Sequence, residues 1–444
     1  MPTPLVDTLR AYAAREPFRF HMPGHKGKSL PLAELNALAP IDVTELDDTG
    51  NLYEPGEPFG AAQALWAERF GFERCQFLTG GSTQGVHTGL ALCCVPGEKI
   101  LLDRGSHRSA FHAMALLDLR PVWLERPWIE RENLTGPISR SAVERALDRD
   151  PEIKTVCITS PTYAGVLSDV DAIAQIAHAH GARLFVDGAH GAHLPFLGLK
   201  PFRGADGVVV SAHKTLPAMG QTALLFANGF PPDRVRELAS VFGSSSPSYP
   251  MLASLDAARD RMERDGTRDY TRTAARVAEL RESFPSLRPG DPACGNGLTL
   301  DPTRFVLNAK DGHALARALE DRDIIPEMAD RGHVILICTC QDGDAAFHRL
   351  GQALGELRPL LGDCPPLPPP PLPEAALTPR QALFAPRETA ELAQAAGRVA
   401  AGHIAPYPPG VPVIAPGERI EKKHLAYLRQ IGYNKRYCEV VREV

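Results

Sequence analysis

The chain has 444 residues, 44% hydrophobic and 23% charged, with a formal net charge of −5. That length suits two or three domains with a core that needs no staples, and the mild negative charge speaks against nucleic acid or an anionic membrane as partner. No apolar run reaches the roughly 18 residues of a spanning helix, and MPTPLVDTLRAYAAREP has no basic region leading into an apolar one, so no secretory signal is expected.

From about residue 70 short apolar runs alternate with helical patterns. Arg74–Leu78 reads as a strand, followed by a Gly/Ser/Thr turn and a helix near Gln84–Cys94. Strand Lys99–Asp103 leads to helix Ser106–Leu117, strand Pro121–Glu125 to a helix near Ala142–Leu147, and strand Thr155–Ser160 to helix Val170–His180. Arg183–Asp187, Gly207–Ser211 and Thr222–Ala227 supply three more strands. Val/Ile/Leu/Phe runs separated by helices predict a mainly parallel sheet covered on both faces, here a doubly wound α/β domain with seven strands. Two helical patterns follow, Tyr249–Arg264 and Thr267–Ser283, then a smaller α/β domain with strands Thr303–Asn308 and Val334–Cys340 around helix Gly312–Asp321. The expected division is an N-terminal segment, 1–40, a large domain, 41–265, and a C-terminal domain, 266–444. A proline-rich run within 364–373 reads as a stiff connector. There is no internal repeat. Nine scattered cysteines, at 75, 93, 94, 157, 294, 338, 340, 364 and 438, fit no disulfide or zinc spacing and read as buried thiols of a reducing cytosol.

Ligands of such sheets bind outside the carboxyl ends of the strands, and three predicted strand ends carry chemistry. Thr79-Gly80-Gly81-Ser82-Thr83-Gln84-Gly85 joins a strand to a helix, where glycines permit close approach and unspent amides favour an anion. It has neither the Walker nor the dinucleotide spacing. Asp187 ends one apolar run and Lys214, in Ser211-Ala212-His213-Lys214-Thr215, follows another 27 residues later. A lysine that is partly desolvated beside a strand end can be a nucleophile. Lysine for an aldehyde and an acid for a pyridinium nitrogen are what pyridoxal phosphate requires. His107, after the Lys99–Asp103 strand, suits either stacking on a flat cofactor or capping a helix. His190 and His193 have no third metal ligand placed with them, so no metal is expected.

Together these residues resemble the Orn/Lys/Arg decarboxylase family over nearly the whole chain. Phe20-His-Met-Pro-Gly-His-Lys26 is similar to its N-terminal signature, and Asp187-Gly-Ala-His-Gly-Ala-His193 and Ser211–Thr215 to its cofactor motifs. Ser246–Asp256 resembles an interface segment, and Pro406–Pro412 with Pro416-Gly-Glu418 the C-terminal signature. Gly188 departs from the Glu common there, and Asp47–Glu57 replaces a common stretch containing Asp-Asp-Leu-His. The resemblance implies the pyridoxal phosphate fold type I and a short, Bacillus-type form without an N-terminal wing domain. It implies Lys214, Asp187 and His107 as catalytic residues: a Schiff-base lysine, the partner of the pyridine nitrogen and a stacking ring. Ser82, Thr83, Ser211 and His213 would hold phosphate, with Gln84 and His190 also at the cofactor. Ser245, within Ser244–Ser246, would reach the partner's site in a homodimer or higher oligomer. Glu54, Glu57 and Glu327 are the carboxylates expected to meet a substrate's distal cation. The implied reaction is cytoplasmic decarboxylation of a basic amino acid, arginine favoured over lysine and ornithine, serving polyamine biosynthesis. Another fold-type-I enzyme (aminotransferase, lyase or aldolase) or a non-catalytic regulatory homologue remain the alternative readings.

Overall fold

The apolar runs become strands almost residue for residue. The computed structural model describes residues 2–290, 298–406 and 410–442; Tyr407, Pro408 and Pro409 of the C-terminal signature and Cys294 lie outside them. The first nine strands are β1 (Arg74–Leu78), β2 (Lys99–Asp103), β3 (Arg120–Leu124), β4 (Trp128–Ile129), β5 (Leu134–Thr135), β6 (Thr155–Thr159), β7 (Arg183–Asp187), β8 (Gly207–Ser211) and β9 (Ala223–Ala227). Seven of them form one sheet in the order β1-β9-β8-β7-β6-β2-β3. Strand β2 pairs parallel with β3 and β6, and β7 with β8, but β9 runs antiparallel to both β1 and β8. Every residue of β8 and β9 is buried, as expected of strands covered on both faces.

The chain falls into two compact units, Met1–Leu92 with Phe185–Thr271, and Cys93–Leu184 with Arg272–Val444. In the first, helix Gly81–Cys93 lies hard against the sheet because of two glycines one turn apart. A Cβ on Gly85 would sit 2.3 Å from Val209 Cγ2, and one on Gly89 1.9 Å from Phe185 Cε2. No larger residue fits without pushing the helix outward. The two predicted helices after the sheet form Tyr249–Arg261 and Thr267–Ser283, joined by a π-helical turn over Met262–Gly266. The first of them also anchors the N-terminus: buried Asp256 accepts from the amides of Leu5 (2.9 Å) and Val6 (3.2 Å). Those are first-turn amides of helix Pro4–Ala14, which have no partner inside their own helix.

In the second unit, β10 (Arg304–Asn308), β11 (Met328–Ala329) and β12 (His333–Ile337) form an antiparallel sheet ordered β10-β12-β11. A further pair, β13 (Arg387–Glu391) and β14 (Tyr437–Val441), lies near the C-terminus. The proline-rich connector is extended and tied down: Trp128 Nε1 donates to the Leu367 carbonyl (2.8 Å) and Leu367 N to Asn133 Oδ1 (2.5 Å). Six of the eight described cysteines are buried, and burial pushes the thiol pKa of Cys94 and Cys338 up to about 12. Cys364 and Cys438 are only half-buried, which corrects the all-buried expectation; one opens the connector and the other lies on the two-stranded β13–β14 pair.

A buried ion pair fixes the loop after β2. Arg126 Nη2 lies 2.6 Å from Asp103 Oδ2, with side chains 2% and 0% exposed. Asp103 also accepts from Gly105 N (2.8 Å) and Thr159 N (3.1 Å), while Arg126 donates to the Gly136 carbonyl (3.0 Å). Arg126→Met should therefore strand a buried carboxylate and cost about 3–5 kcal/mol. A urea unfolding midpoint equal to wild type would contradict this.

Candidate active site

Register brings the chemistry of the first unit to one end of its strands. Leu78, the last residue of β1, and Ser211, the last of β8, both stand opposite Ala223 of β9. The turn after Leu78 and the segment after Ser211 thus begin one strand either side of β9, about 10 Å apart at roughly 4.8 Å per strand.

After Ser211 the chain makes a single helical turn, Ala212–Thr215, that depends on outside anchors. The Thr222 carbonyl accepts from Ala212 N (3.1 Å) and lies 2.9 Å from His213 Nδ1, which must therefore carry the proton. Fully buried Tyr270 donates its hydroxyl to the Thr215 carbonyl. Half-buried Lys214 is held between these anchors, its Nζ 3.1 Å from His190 Nε2.

Asp187 ends β7, opposite Val209 of β8, and is 6% exposed. Beyond it the backbone folds back along β8. Gly188 N donates to the Val209 carbonyl (2.8 Å), Ala189 N to Asp187 Oδ1 (3.1 Å) and Ser211 N to the Ala189 carbonyl (3.3 Å). This path carries buried His190 to the lysine amine. It also explains Gly188, where a Cβ would lie 2.6 Å from Cε1 of buried Phe202. The Phe202 ring fills the space that a glutamate here would need.

Across β9, the turn is held by Gln84, whose Oε1 accepts from Gly80 N (2.9 Å) and whose Nε2 donates to the Ala239 carbonyl (2.8 Å). Both ends of this amide are committed to backbone, so Gln84 shapes the turn. Gly81 has φ +68°, which its lack of a Cβ permits. Ser82 is half-buried and Thr83 exposed at the start of helix Gly81–Cys93, where amides are unspent and the dipole is positive. Ser211 Oγ is buried with no hydrogen-bond partner among the described residues. Leaving such a group unpaired costs about 1–3 kcal/mol. A helix start with hydroxyls, an orphaned serine hydroxyl, a half-buried lysine and a strand-end aspartate fit a phosphorylated pyridine aldehyde.

The remaining expected residues are placed as follows. Ser244, Ser245 and Ser246 are exposed in the single chain. Exposed Glu54 accepts from Asn51 Nδ2 (3.0 Å), and exposed Glu57 accepts from Ala61 N (3.2 Å), capping helix Phe59–Phe70. In the second unit, His107 caps helix Arg108–Leu117, its Nδ1 accepting from Ser109 N (3.2 Å), and Glu327 accepts from the Tyr163 hydroxyl. The sequence reading passed over Glu45 and Tyr53. Glu45 Oε1 is buried with no hydrogen-bond partner among the described residues, and the buried Tyr53 hydroxyl lies beside the Gln84 amide. Burial, with Glu45 nearby, raises the Tyr53 phenol above its ordinary value despite an opposing interaction with Gln84. An acid between Val43-Thr44 and Leu46, in a segment with two apolar residues, was the available signal.

Fold and site define a fold-type-I pyridoxal phosphate enzyme. The chain belongs to the Orn/Lys/Arg decarboxylase family: the model of the major domain matches residues 3–293 and that of the C-terminal domain residues 370–437. It is a pyridoxal phosphate-dependent amino-acid decarboxylase. It is similar to arginine decarboxylase of Bacillus subtilis (strain 168), 30% identical over 96% of this chain and 93% of the relative. Constitutive lysine decarboxylase of Escherichia coli (strain K12) is 24% identical over 95% of this chain and 76% of the relative. Among solved structures, the Francisella novicida lysine decarboxylase LdcF superimposes with a TM-score of 0.83 over 99% of this chain and 81% of its own, at 21% identity. Among the described residues no helix is long and apolar enough to cross a membrane.

Proposed function

We propose that this chain decarboxylates arginine to its amine and CO2 in the cytoplasm, supplying polyamine biosynthesis, and works as a homodimer. The observation that carries the site assignment is the Lys214 amine, 3.1 Å from His190 Nε2 and three residues beyond the orphaned Ser211 hydroxyl. The 30% identity to a Bacillus arginine decarboxylase supports the choice of substrate over lysine and ornithine.

Pyridoxal phosphate supplies an electron sink for the pair left when the bond from Cα to the carboxylate breaks. Lys214 would hold its aldehyde, and its amine, 3.1 Å from His190 Nε2, is placed to exchange a proton with that ring. Asp187 would keep a proton on the ring nitrogen, and the stacking role of His107 rests on the family resemblance alone. Ser82, Thr83 and Ser211 would donate to phosphate, whereas His213, with Nδ1–H spent on the Thr222 carbonyl, could donate from Nε2 only as an imidazolium. Gln84 acts by holding the turn. Incubation with arginine, lysine, ornithine and apolar amino acids, with CO2 and amine both measured, tests the reading. Fastest turnover of an apolar amino acid would overturn it.

A substrate's distal cation in a partly desolvated pocket requires a carboxylate. Glu54, Glu57 and Glu327 keep that role in the proposal, joined by Glu45 for its unpartnered oxygen. Single changes to Gln should single out one position, where kcat/KM for arginine falls by about 30- to 150-fold, the equivalent of roughly 2–3 kcal/mol. Cofactor absorbance should not move. Four variants with wild-type kcat/KM would place the recognising acid elsewhere.

The exposed Ser244–Ser246 segment supports a site completed by a second subunit. Activity should accompany the dimer in sedimentation at assay concentration. An active monomer would refute the shared site.

A further inference from the structure

A second polar cavity, of about 450 Å³, lies wholly within the second unit and shares no residue with the Lys214 site. Its wall includes Glu132 and Asn308, 4% and 8% exposed, with Ser286, Arg131, Arg288 and Asp363. Asn308 Nδ2 donates to Glu132 Oε2 (3.0 Å), which fixes the orientation of the amide. Asn308 Oδ1 is then left buried, without a hydrogen-bond partner among the described residues. The other oxygen of Glu132 lies 3.7 Å from Arg131 Nε, too long for a good hydrogen bond. The Ser286 hydroxyl is already spent on the Phe284 carbonyl (3.1 Å). Behind the wall, His333 is paired with Asp330 (Nδ1–Oδ1 3.1 Å).

The Asn308 oxygen thus stands beside the Glu132 carboxylate, whose charge is only partly answered by Arg131 at 3.7 Å and by His333, and a cationic donor would serve both acceptors. The Arg131 side chain is 63% exposed and Arg288 is exposed too, so both guanidiniums are accessible from solvent. With Asp363, the lining holds two carboxylates and two guanidiniums, a balanced field that favours neither a simple cation nor a simple anion. We propose that this cavity is a binding site for a free α-amino acid, its ammonium on Glu132 and Asn308 Oδ1 and its carboxylate on Arg131 and Arg288. The volume suits a small molecule of that class.

The test uses full-length, cofactor-loaded protein treated with borohydride, which blocks turnover whichever lysine holds the cofactor. Radiolabelled arginine, glutamine and leucine are titrated by equilibrium dialysis, with agmatine as a cation lacking the carboxylate and propionate as an anion lacking the ammonium. At least one amino acid should bind saturably, and both Glu132→Gln and Arg288→Ala should weaken it by about tenfold or more, the loss of one charge-assisted contact. Arg288 is exposed, so its variant should keep the fold even if Glu132→Gln disturbs it. Agmatine and propionate should each bind at least about tenfold more weakly than that amino acid. Absence of saturable amino-acid binding, unchanged binding in Arg288→Ala, or equal affinity for agmatine or propionate would each overturn the proposal. Turnover at the Lys214 site is not the readout, so failure here leaves the decarboxylase reading standing.

Discussion

Lys214→Ala is expected to leave a folded protein with no decarboxylase activity, turnover falling by about 10⁴-fold or more. Lys214 is half-buried on a single helical turn whose ends are held by Thr222 and Tyr270 rather than by the lysine itself. Alanine suits that turn, so stability should change by no more than about 1 kcal/mol. The visible absorbance of lysine-linked cofactor should vanish, while the phosphate contacts proposed for Ser82, Thr83 and Ser211 should still allow weaker, reversible cofactor binding. Absorbance, CO2 release and the urea midpoint together separate this from simple unfolding. Retained turnover with retained absorbance would remove Lys214 from its role and direct attention to another lysine.

Much of this site was legible because strand ends can be read from short apolar runs. Asp187 and Lys214 follow such runs, and each end of the seven large-sheet strands fell within one residue of its expected place, whereas the strand expected over Val334–Cys340 stops at Ile337. The antiparallel course of β9 was not legible, because a strand buried on both faces reads alike in either direction. The 3.1 Å approach of His190 to Lys214 was equally hidden: it depends on the backbone folding along β8 after Asp187, which glycine at 188 permits and Phe202 closes. Gln84 reads as a cofactor contact in sequence because it stands beside two hydroxyl residues. Only the positions of Gly80 and Ala239 reveal that its amide holds the turn. Glu45 was missed because the acids sought lay in exposed, charged stretches, whereas its charge is felt by Tyr249, a residue distant in sequence.

Asp187→Asn should separate cofactor binding from chemistry. The residue is 6% exposed and its Oδ1 accepts from Ala189 N at 3.1 Å. Asparagine has the same shape and keeps an oxygen for that amide, so the backbone turn that carries His190 should survive. What is lost is the charge. A neutral amide cannot hold a proton on the ring nitrogen, and without it the ring accepts the electron pair of the breaking bond far less readily. Loss of one preorganised charge at a reacting centre costs about 10²- to 10³-fold. Single-turnover CO2 release should slow by that factor, while absorbance of the lysine-linked cofactor persists and KM changes little. Asp187→Ala should do more harm, since it also strips Ala189 N of its acceptor and loosens the path to His190. If Asn slows nothing while Ala slows catalysis, Asp187 is a positioning residue for the turn. If neither slows it, the acid that serves the ring nitrogen lies elsewhere.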